Sequence, residues 1–254
     1  MTLIDSHAHL ILDAFDNDRE QVIQDAFSNR LSHIVQSCDN LEEIEKNLIL
    51  ARKHANIYSS VGIHPHEAIK WDALSKDKIL NYTKEDKVIA IGETGLDFFY
   101  NYSPHDVQIN VFQEQIKIAK ETLLPLIIHC RDAFKEAIEI LKTEKSEDGV
   151  FHCYTGDMET AKEALKLGFY ISWSGIITFK NAGNLREVAK EIPLEKTLIE
   201  TDCPFLTPLP NRGKRNEPKY VQFVAQELAT IHGVAVEEIE AITSENTKKL
   251  FRIK

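Results

Sequence analysis

The chain has 254 residues, 43% of them hydrophobic, and a formal charge of −10. That size can bury one large core, and α/β barrels commonly reach it as a single domain. The acidic balance argues against a broad electrostatic grip on duplex nucleic acid, although a local basic patch beside bound cations stays compatible with it.

Strand and helix signals alternate from the start. Leu3-Ile4-Asp5-Ser6-His7-Ala8-His9 opens as a strand whose alternation puts His7 and His9 on one face, about 7 Å apart. Asp18 to Arg30 reads as a helix, with Val22, Ile23, Ala26 and Phe27 on one stripe. His33 to Gln36 is a short strand, Leu41 to His54 an amphipathic helix, Ile57 to Val61 a third strand, and Lys76 to Tyr82 a helix. Val88 to Gly92 is the fourth strand. Pro104 suits the first helical position, with Ser103 as its cap, in a long helix running toward Thr122. Leu126 to His129, a helix to about Lys145, Gly149 to His152 and a helix over Glu159 to Leu167 follow. Then come Phe169 to Trp173 as a strand, Leu185 to Ile192 as a helix, and Thr197 to Glu200 as the last strand. A Pro/Arg loop leads to two further helices, Tyr220 to His232 and Val236 to Ser244.

Eight strands with intervening helices require crossovers and a parallel sheet, and eight such units close into a (β/α)8 TIM barrel. The expected architecture is one domain over residues 1–254 with extra C-terminal helices. A doubly wound open sheet is the competitor, but no glycine-rich phosphate fingerprint follows the first strand.

Five strand signals end in a histidine or carboxylate, and in a barrel all strand ends open on one face. His7, His9, His64, Glu93, His129, His152 and Asp202 then converge. A single strand-end histidine is more often a hydrogen-bonded loop residue, Glu93 alone could be a helix cap, and Asp202 alone could cap its loop. Their joint placement is what points to metal. His33, His54, His105 and His232 precede strands or sit on helices and are assigned structural or surface roles. Imidazole and carboxylate donors without thiolate suit Zn²⁺, Mn²⁺ or Mg²⁺.

The order of motifs carries a resemblance. Asp5-Ser6-His7-Ala8-His9-Leu10, Gly92-Glu93-Thr94-Gly95-Leu96-Asp97, His129-Cys130-Arg131, His152-Cys153-Tyr154-Thr155-Gly156, Glu200-Thr201-Asp202 and Arg212-Gly213-Lys214-Arg215-Asn216-Glu217-Pro218 resemble the signatures of the TatD family of metal-dependent deoxyribonucleases. Ser174-Gly175-Ile176 and Thr178-Phe179-Lys180 resemble it too, and the likeness runs from residue 4 to residue 251. The HxH alone is shared with the wider amidohydrolase group. Cys203 stands where the family often has alanine, and Asn211 where an aromatic or histidine is common. The resemblance implies two divalent metal ions, one held by His7, His9 and Asp202, the other by His129 and His152, with Glu93 bridging. Such a pair lowers the pKa of a shared water and stabilises the oxygens of a phosphodiester. Asp202 is the candidate acceptor of the water's proton. A glutamate bridge makes a carboxylated lysine unnecessary, which separates the chain from dihydroorotase-like and urease-like readings.

Substrate rests on fewer residues. Arg212, Lys214, Arg215 and Lys219 follow the last strand, where barrels often build phosphate sites, although a solvated charged loop is the common reading of such a run. Arg131, Lys180 and His64 are further candidates for phosphate contact. Phe98, Phe99, Tyr100, Tyr102 and Trp173 offer aromatic faces on which unpaired bases can stack, though loop aromatics more often pack. Together with these features, the resemblance implies a nuclease acting on single-stranded DNA ends, 3′ to 5′, or on another phosphate-containing substrate. The alternatives are a D-aminoacyl-tRNA deacylase or other ester hydrolase on the same metals, and a non-catalytic metal-stabilised binding protein.

No apolar run is long enough to span a bilayer, and the first residues lack the basic and apolar regions of a signal peptide. Cys38, Cys130, Cys153 and Cys203 show no CxxC spacing, so a cytoplasmic setting is expected, with no obligate protein partner evident. Strand alternation turns Cys130 and Cys153 away from the metals toward the helical layer. For Cys203, past the last strand, that argument is weaker.

Overall fold

The computed structural model describes residues 2–253. Its strands follow one another around a single parallel sheet in sequence order: β1 (Leu3–Ala8), β2 (Leu31–Gln36), β3 (Ile57–Val61), β4 (Val88–Asp97), β5 (Leu126–Arg131), β6 (Gly149–Phe151), β7 (Tyr170–Trp173) and β8 (Thr197–Ile199). The ring is drawn together by the parallel bridge of Ala8 with Cys203 and by the backbone bonds His9 N–H to Cys203 O (2.8 Å) and Asp202 N–H to His7 O (3.0 Å). Helices α1 (Arg19–Ser28), α2 (Ile44–Lys53), α3 (Ser75–Tyr82), α4 (His105–Thr122), α5 (Phe134–Glu144), α6 (Met158–Lys166), α7 (Gly183–Glu191), α8 (Val221–His232) and α9 (Val236–Phe251) surround it. This is the eight-unit barrel expected from the alternation.

Two apolar layers follow from the period-2 alternation of a strand buried on both faces. One packs outward-facing strand residues against the helices. The other gathers Val35, Ile89, Ile127, Val150, Tyr170 and Leu198 from six strands into the lumen, floored by Leu250, Phe251 and Ile253. Two residues beyond Ile127, Val150 and Leu198, on the same face, come His129, His152 and Glu200. The apolar lumen thus hands over to a polar mouth within one pleat.

Three boundaries differ from expectation for identifiable reasons. β4 continues past Gly92 to Asp97. A side chain at Gly95 would meet the His129 carbonyl oxygen at 2.0 Å, so glycine here serves the close approach of β4 to β5 and does not end the strand. Pro104 is the cap position and α4 begins at His105, while the Ser103 hydroxyl donates to His66 O (2.8 Å) and accepts from Ile69 N–H (3.0 Å). Ser103 therefore ties the third loop to the fourth. The last helix runs on to Phe251, because its polar stretch is satisfied inside. Thr243 and Thr247 bond back to the preceding turn, and Asn246 Nδ2 donates to Leu194 O and Thr197 O.

Among the described residues, no helix is long and apolar enough to cross a membrane.

Candidate metal centre

Glu93 stands at the middle of the barrel mouth, 2% exposed, with its two oxygens facing two different groups. Oε2 lies 3.1 Å from His7 Nε2 and 3.6 Å from His9 Nε2. Asp202 Oδ1 joins that side, 3.3 Å from His9 Nε2 and 3.7 Å from His7 Nε2. Oε1 lies 2.8 Å from His152 Nε2, 2.9 Å from His129 Nδ1 and 3.2 Å from His64 Nε2. The structure therefore brings together His7, His9, Glu93, His129, His152 and Asp202, with His64 beside them. His7 is the last residue but one of β1 and His9 lies just beyond its end, yet their Nε2 atoms come within 3.0 Å.

The hydrogen bonds behind the rings decide which nitrogens face inward as lone pairs. His152 Nδ1 meets Glu200 Oε1 at 3.2 Å, and His129 Nε2 meets Asp97 Oδ2 at 3.1 Å. An ionised carboxylate only accepts, so each of these nitrogens carries its proton, and in the neutral ring the opposite nitrogen is the lone pair available to a cation. That nitrogen faces Glu93 oxygen across less than 3 Å in both rings, a contact that a proton or a metal cation between them makes attractive. Donors held about 2.0–2.2 Å from a common cation stand about 3 Å apart, so the spacing fits a metal site of nitrogen and oxygen donors. Carboxylates behind ligating imidazoles commonly fix ring orientation in this way. His9 Nδ1 likewise faces Asp39 Oδ1 at 3.5 Å, whereas His7 Nδ1 is buried without a hydrogen-bond partner among the described residues.

His64 has a different role. Its Nδ1 accepts the His66 backbone N–H at 3.1 Å, so Nε2 is the protonated nitrogen and donates toward Glu93. It is a hydrogen-bond donor aimed into the centre, outside the ligand set.

The electrostatics favour positive charge at this spot. Burial would raise the Glu93 carboxyl, but the imidazoles of His152, His64 and His7 hold it well below the usual carboxylate range. Burial likewise works against an ionised Asp202, and His9 and His7 outweigh it. Burial opposes protonation of His9, yet Asp39, Asp202 and Glu93 push it up to about 10. Below this cluster, burial raises Asp5 to about 8 despite bonds from Thr201 and the His7 amide; its oxygens pin Thr201 N–H (2.8 Å) and Oγ1 (2.5 Å), fixing β1 against β8.

Several supporting residues escaped the sequence reading. Asp97 Oδ2 receives both His129 Nε2 and His66 Nε2 (2.8 Å), and these bonds overcome burial to lower its carboxyl. Glu200 also accepts from Cys153 N–H (2.7 Å) and Ser172 Oγ (2.5 Å). Period-2 spacing was the available signal for Asp97, because it shares a strand face with Glu93 and Gly95.

Other expectations need correction. Arg215, expected as a phosphate ligand, already has partners within the chain. Its guanidinium makes a two-pronged pair with Asp18 (2.8 and 2.7 Å), bonds Ala14 O and Glu217, and lies over the Phe15 ring. Lys219 is paired with Glu217 and Asp25. Arg212 and Lys214 stay exposed, with Arg212 over Phe179 at 3.9 Å. Arg131 lies over Phe99 and Tyr100. Trp173, 1% exposed, packs against Tyr154 and offers no face to a base. Cys130 and Cys203 are buried in the outer core, but Cys153 bonds Ser174 Oγ (3.1 Å) beside the mouth. β6 stops at Phe151 and Cys153 has φ of 42°, so strand alternation does not govern it. His54 pairs with Glu20, and His105 stacks on Phe98.

Comparison with known proteins agrees with this architecture. The family described as TatD related DNase matches residues 4–252. A metal-dependent hydrolase, YabD of Bacillus subtilis, is 46% identical over 253 residues, covering 99% of both chains. The 3′-5′ ssDNA/RNA exonuclease TatD of Escherichia fergusonii is 35% identical, again over 99% of each. The crystal structure of YJJV, a TatD homologue from Escherichia coli, superposes with a TM-score of 0.94 at 29% identity, covering 99% of this chain and 98% of that one. The chain belongs to the TatD family of metal-dependent hydrolases.

Proposed function

We propose that the protein hydrolyses phosphodiester bonds at the ends of single-stranded nucleic acid, 3′ to 5′, with two divalent cations. The observation that carries this reading is the division of Glu93: one oxygen faces His7 and His9, the other His129 and His152. His7, His9 and Asp202 would hold one cation, His129 and His152 the other, and Glu93 both. When bound, such a pair supplies Lewis acidity, activating water and neutralising charge that develops on phosphate oxygens. The imidazole-rich donor set favours Zn²⁺ or Mn²⁺ over Mg²⁺.

The remaining work falls to the chain's own groups. Asp202, ionised and held by its backbone bond to His7 O, accepts the proton of the attacking water. Water oxygen adds to phosphorus as its proton passes to Asp202, the bond to the leaving sugar oxygen breaks with its electron pair staying on that oxygen, and Asp202 returns the proton to it to give the hydroxyl. His64 Nε2–H donates to a phosphate oxygen that competes with Glu93 for it. Arg131, Arg212 and Lys214 hold flanking phosphates. Arg215, tied to Asp18, positions the loop instead. The name of the Escherichia fergusonii relative supports the polarity and the single-stranded substrate. Four unpaired cysteines support a cytoplasmic setting.

The test is metal-reconstituted protein on end-labelled single-stranded DNA, beside charged D-aminoacyl-tRNA. Stepwise shortening from the 3′ end is expected. Release of the amino acid with intact DNA would replace the reading by an esterase.

A further inference from the structure

Beyond the metals, the loop after β4 presents an unusual surface. Phe99, Tyr100 and Tyr102 are 52%, 46% and 64% exposed. The rings of Tyr100 and Tyr102 stand 5.4 Å apart and within 5° of parallel, an arrangement set by Asn101 between them, whose φ of 55° turns the chain through the left-handed region. Both rings are met edge-on by His66, at 5.5 and 4.8 Å. The Arg131 guanidinium covers Phe99 at 4.0 Å and Tyr100 at 4.6 Å.

This surface is mechanically continuous with the centre. Asp97 Oδ1 accepts the backbone N–H groups of Phe99 (3.0 Å) and Tyr100 (2.9 Å), while its other oxygen holds His66 and His129. One carboxylate thus fixes both the aromatic turn and a metal-facing imidazole.

We propose that the exposed pair Tyr100 and Tyr102, with Arg131 over the Tyr100 ring and Tyr102 as the open face, forms a stacking subsite for one unpaired nucleobase adjacent to the cleaved bond. The occupant follows from the chemistry. Flat exposed rings suit a π-face, every base has one, and the cation beside them matches the phosphate that accompanies each base. Position argues the same way, since His66 and Asp97 link these rings to His129. The proposal rests on the nucleic-acid reading above, and it assigns the selectivity for unpaired strands to this turn, because a base in a duplex has its faces covered.

The test uses single-stranded oligonucleotides that differ only in one abasic residue, stepped through the terminal positions. At one position the wild type should lose about 5- to 150-fold in kcat/KM, the range of a single base–aromatic stack. Tyr100→Ala/Tyr102→Ala should cost the intact strand a similar factor and make the abasic substitution at that position silent. Because each comparison is a ratio within one protein, a general loss of activity does not disturb it. Equal turnover of intact and abasic strands by the wild type at every position would overturn the subsite while leaving the nuclease intact, and would leave these rings to a protein partner. Full discrimination retained by the variant would likewise exclude these rings. Failure to cleave any oligonucleotide would sink the nucleic-acid reading, and the subsite with it.

Discussion

Asp97 Oδ2 stands 3.1 Å from His129 Nε2, and the same ring presents Nδ1 to Glu93 Oε1 at 2.9 Å. A carboxylate in that position dictates the tautomer. It accepts the hydrogen bond of Nε2–H, so the neutral ring turns Nδ1 inward as a lone pair suited to a cation.

Asp97→Asn tests this directly. Asparagine keeps an oxygen for the amides of Phe99 and Tyr100, so the turn should survive. Its NH₂ group, turned toward His129, would favour the opposite tautomer and put a proton on Nδ1. The variant should fold, keep its thermal unfolding within a few degrees, and bind metal about 10- to 100-fold more weakly. Chelator competition reads the affinity without reference to turnover. Unchanged affinity would mean that His129 does not depend on Asp97, or does not ligate.

Glu93→Gln addresses the bridge. A carboxylate carries two acceptor oxygens, whereas an amide carries one and two donors. The amide nitrogen would face either the His7–His9 pair or the His129–His152 pair, opposing whatever cation that pair holds. Elemental analysis should find the metal content reduced toward one ion per chain, and turnover of the oligonucleotide should fall by at least about a hundredfold, as expected on losing preorganised electrostatic stabilisation. Two ions and a normal rate would remove the bridging role and the two-cation reading built on it.

Much of this arrangement could be read in the sequence because its causes are periodic. Strand alternation places His129, His152 and Glu200 over Ile127, Val150 and Leu198, and parallel topology sends every strand end to one face. What alternation cannot supply is hidden where the backbone leaves it. The fourth strand reads as ending at Gly92, which leaves out Asp97 at the far end of β4, although Gly92 and Gly95 serve a backbone approach to β5. Cys153 lies past β6 and faces the mouth side. Charge, too, is ambiguous in one dimension. Arg212, Lys214 and Arg215 look alike in a row, and only the fold brings Asp18, at the start of α1, within reach of one of them.

That difference yields the last prediction, on the loop after β8. Arg212 and Lys214 are exposed and without a carboxylate partner among the ion pairs of the described residues, whereas Arg215 is bound to Asp18 and Glu217. If the first two hold phosphates, Arg212→Ala/Lys214→Ala should keep fold and metal content while weakening single-stranded DNA. Each phosphate neutralised on a single strand contributes about −0.7 to the log–log salt slope, so the double variant should flatten it by about 1.4. Arg215→Ala should behave in the opposite manner. It releases the contact to α1 and the packing on Phe15, lowering the unfolding midpoint, but it leaves the salt slope near the wild-type value because no phosphate contact is lost. Binding titrations from about 50 to 200 mM salt, paired with thermal melts, separate the two behaviours. A salt slope that flattens with Arg215→Ala and not with the double variant would reverse the assignment and make the Asp18 pair a latch that opens to admit substrate.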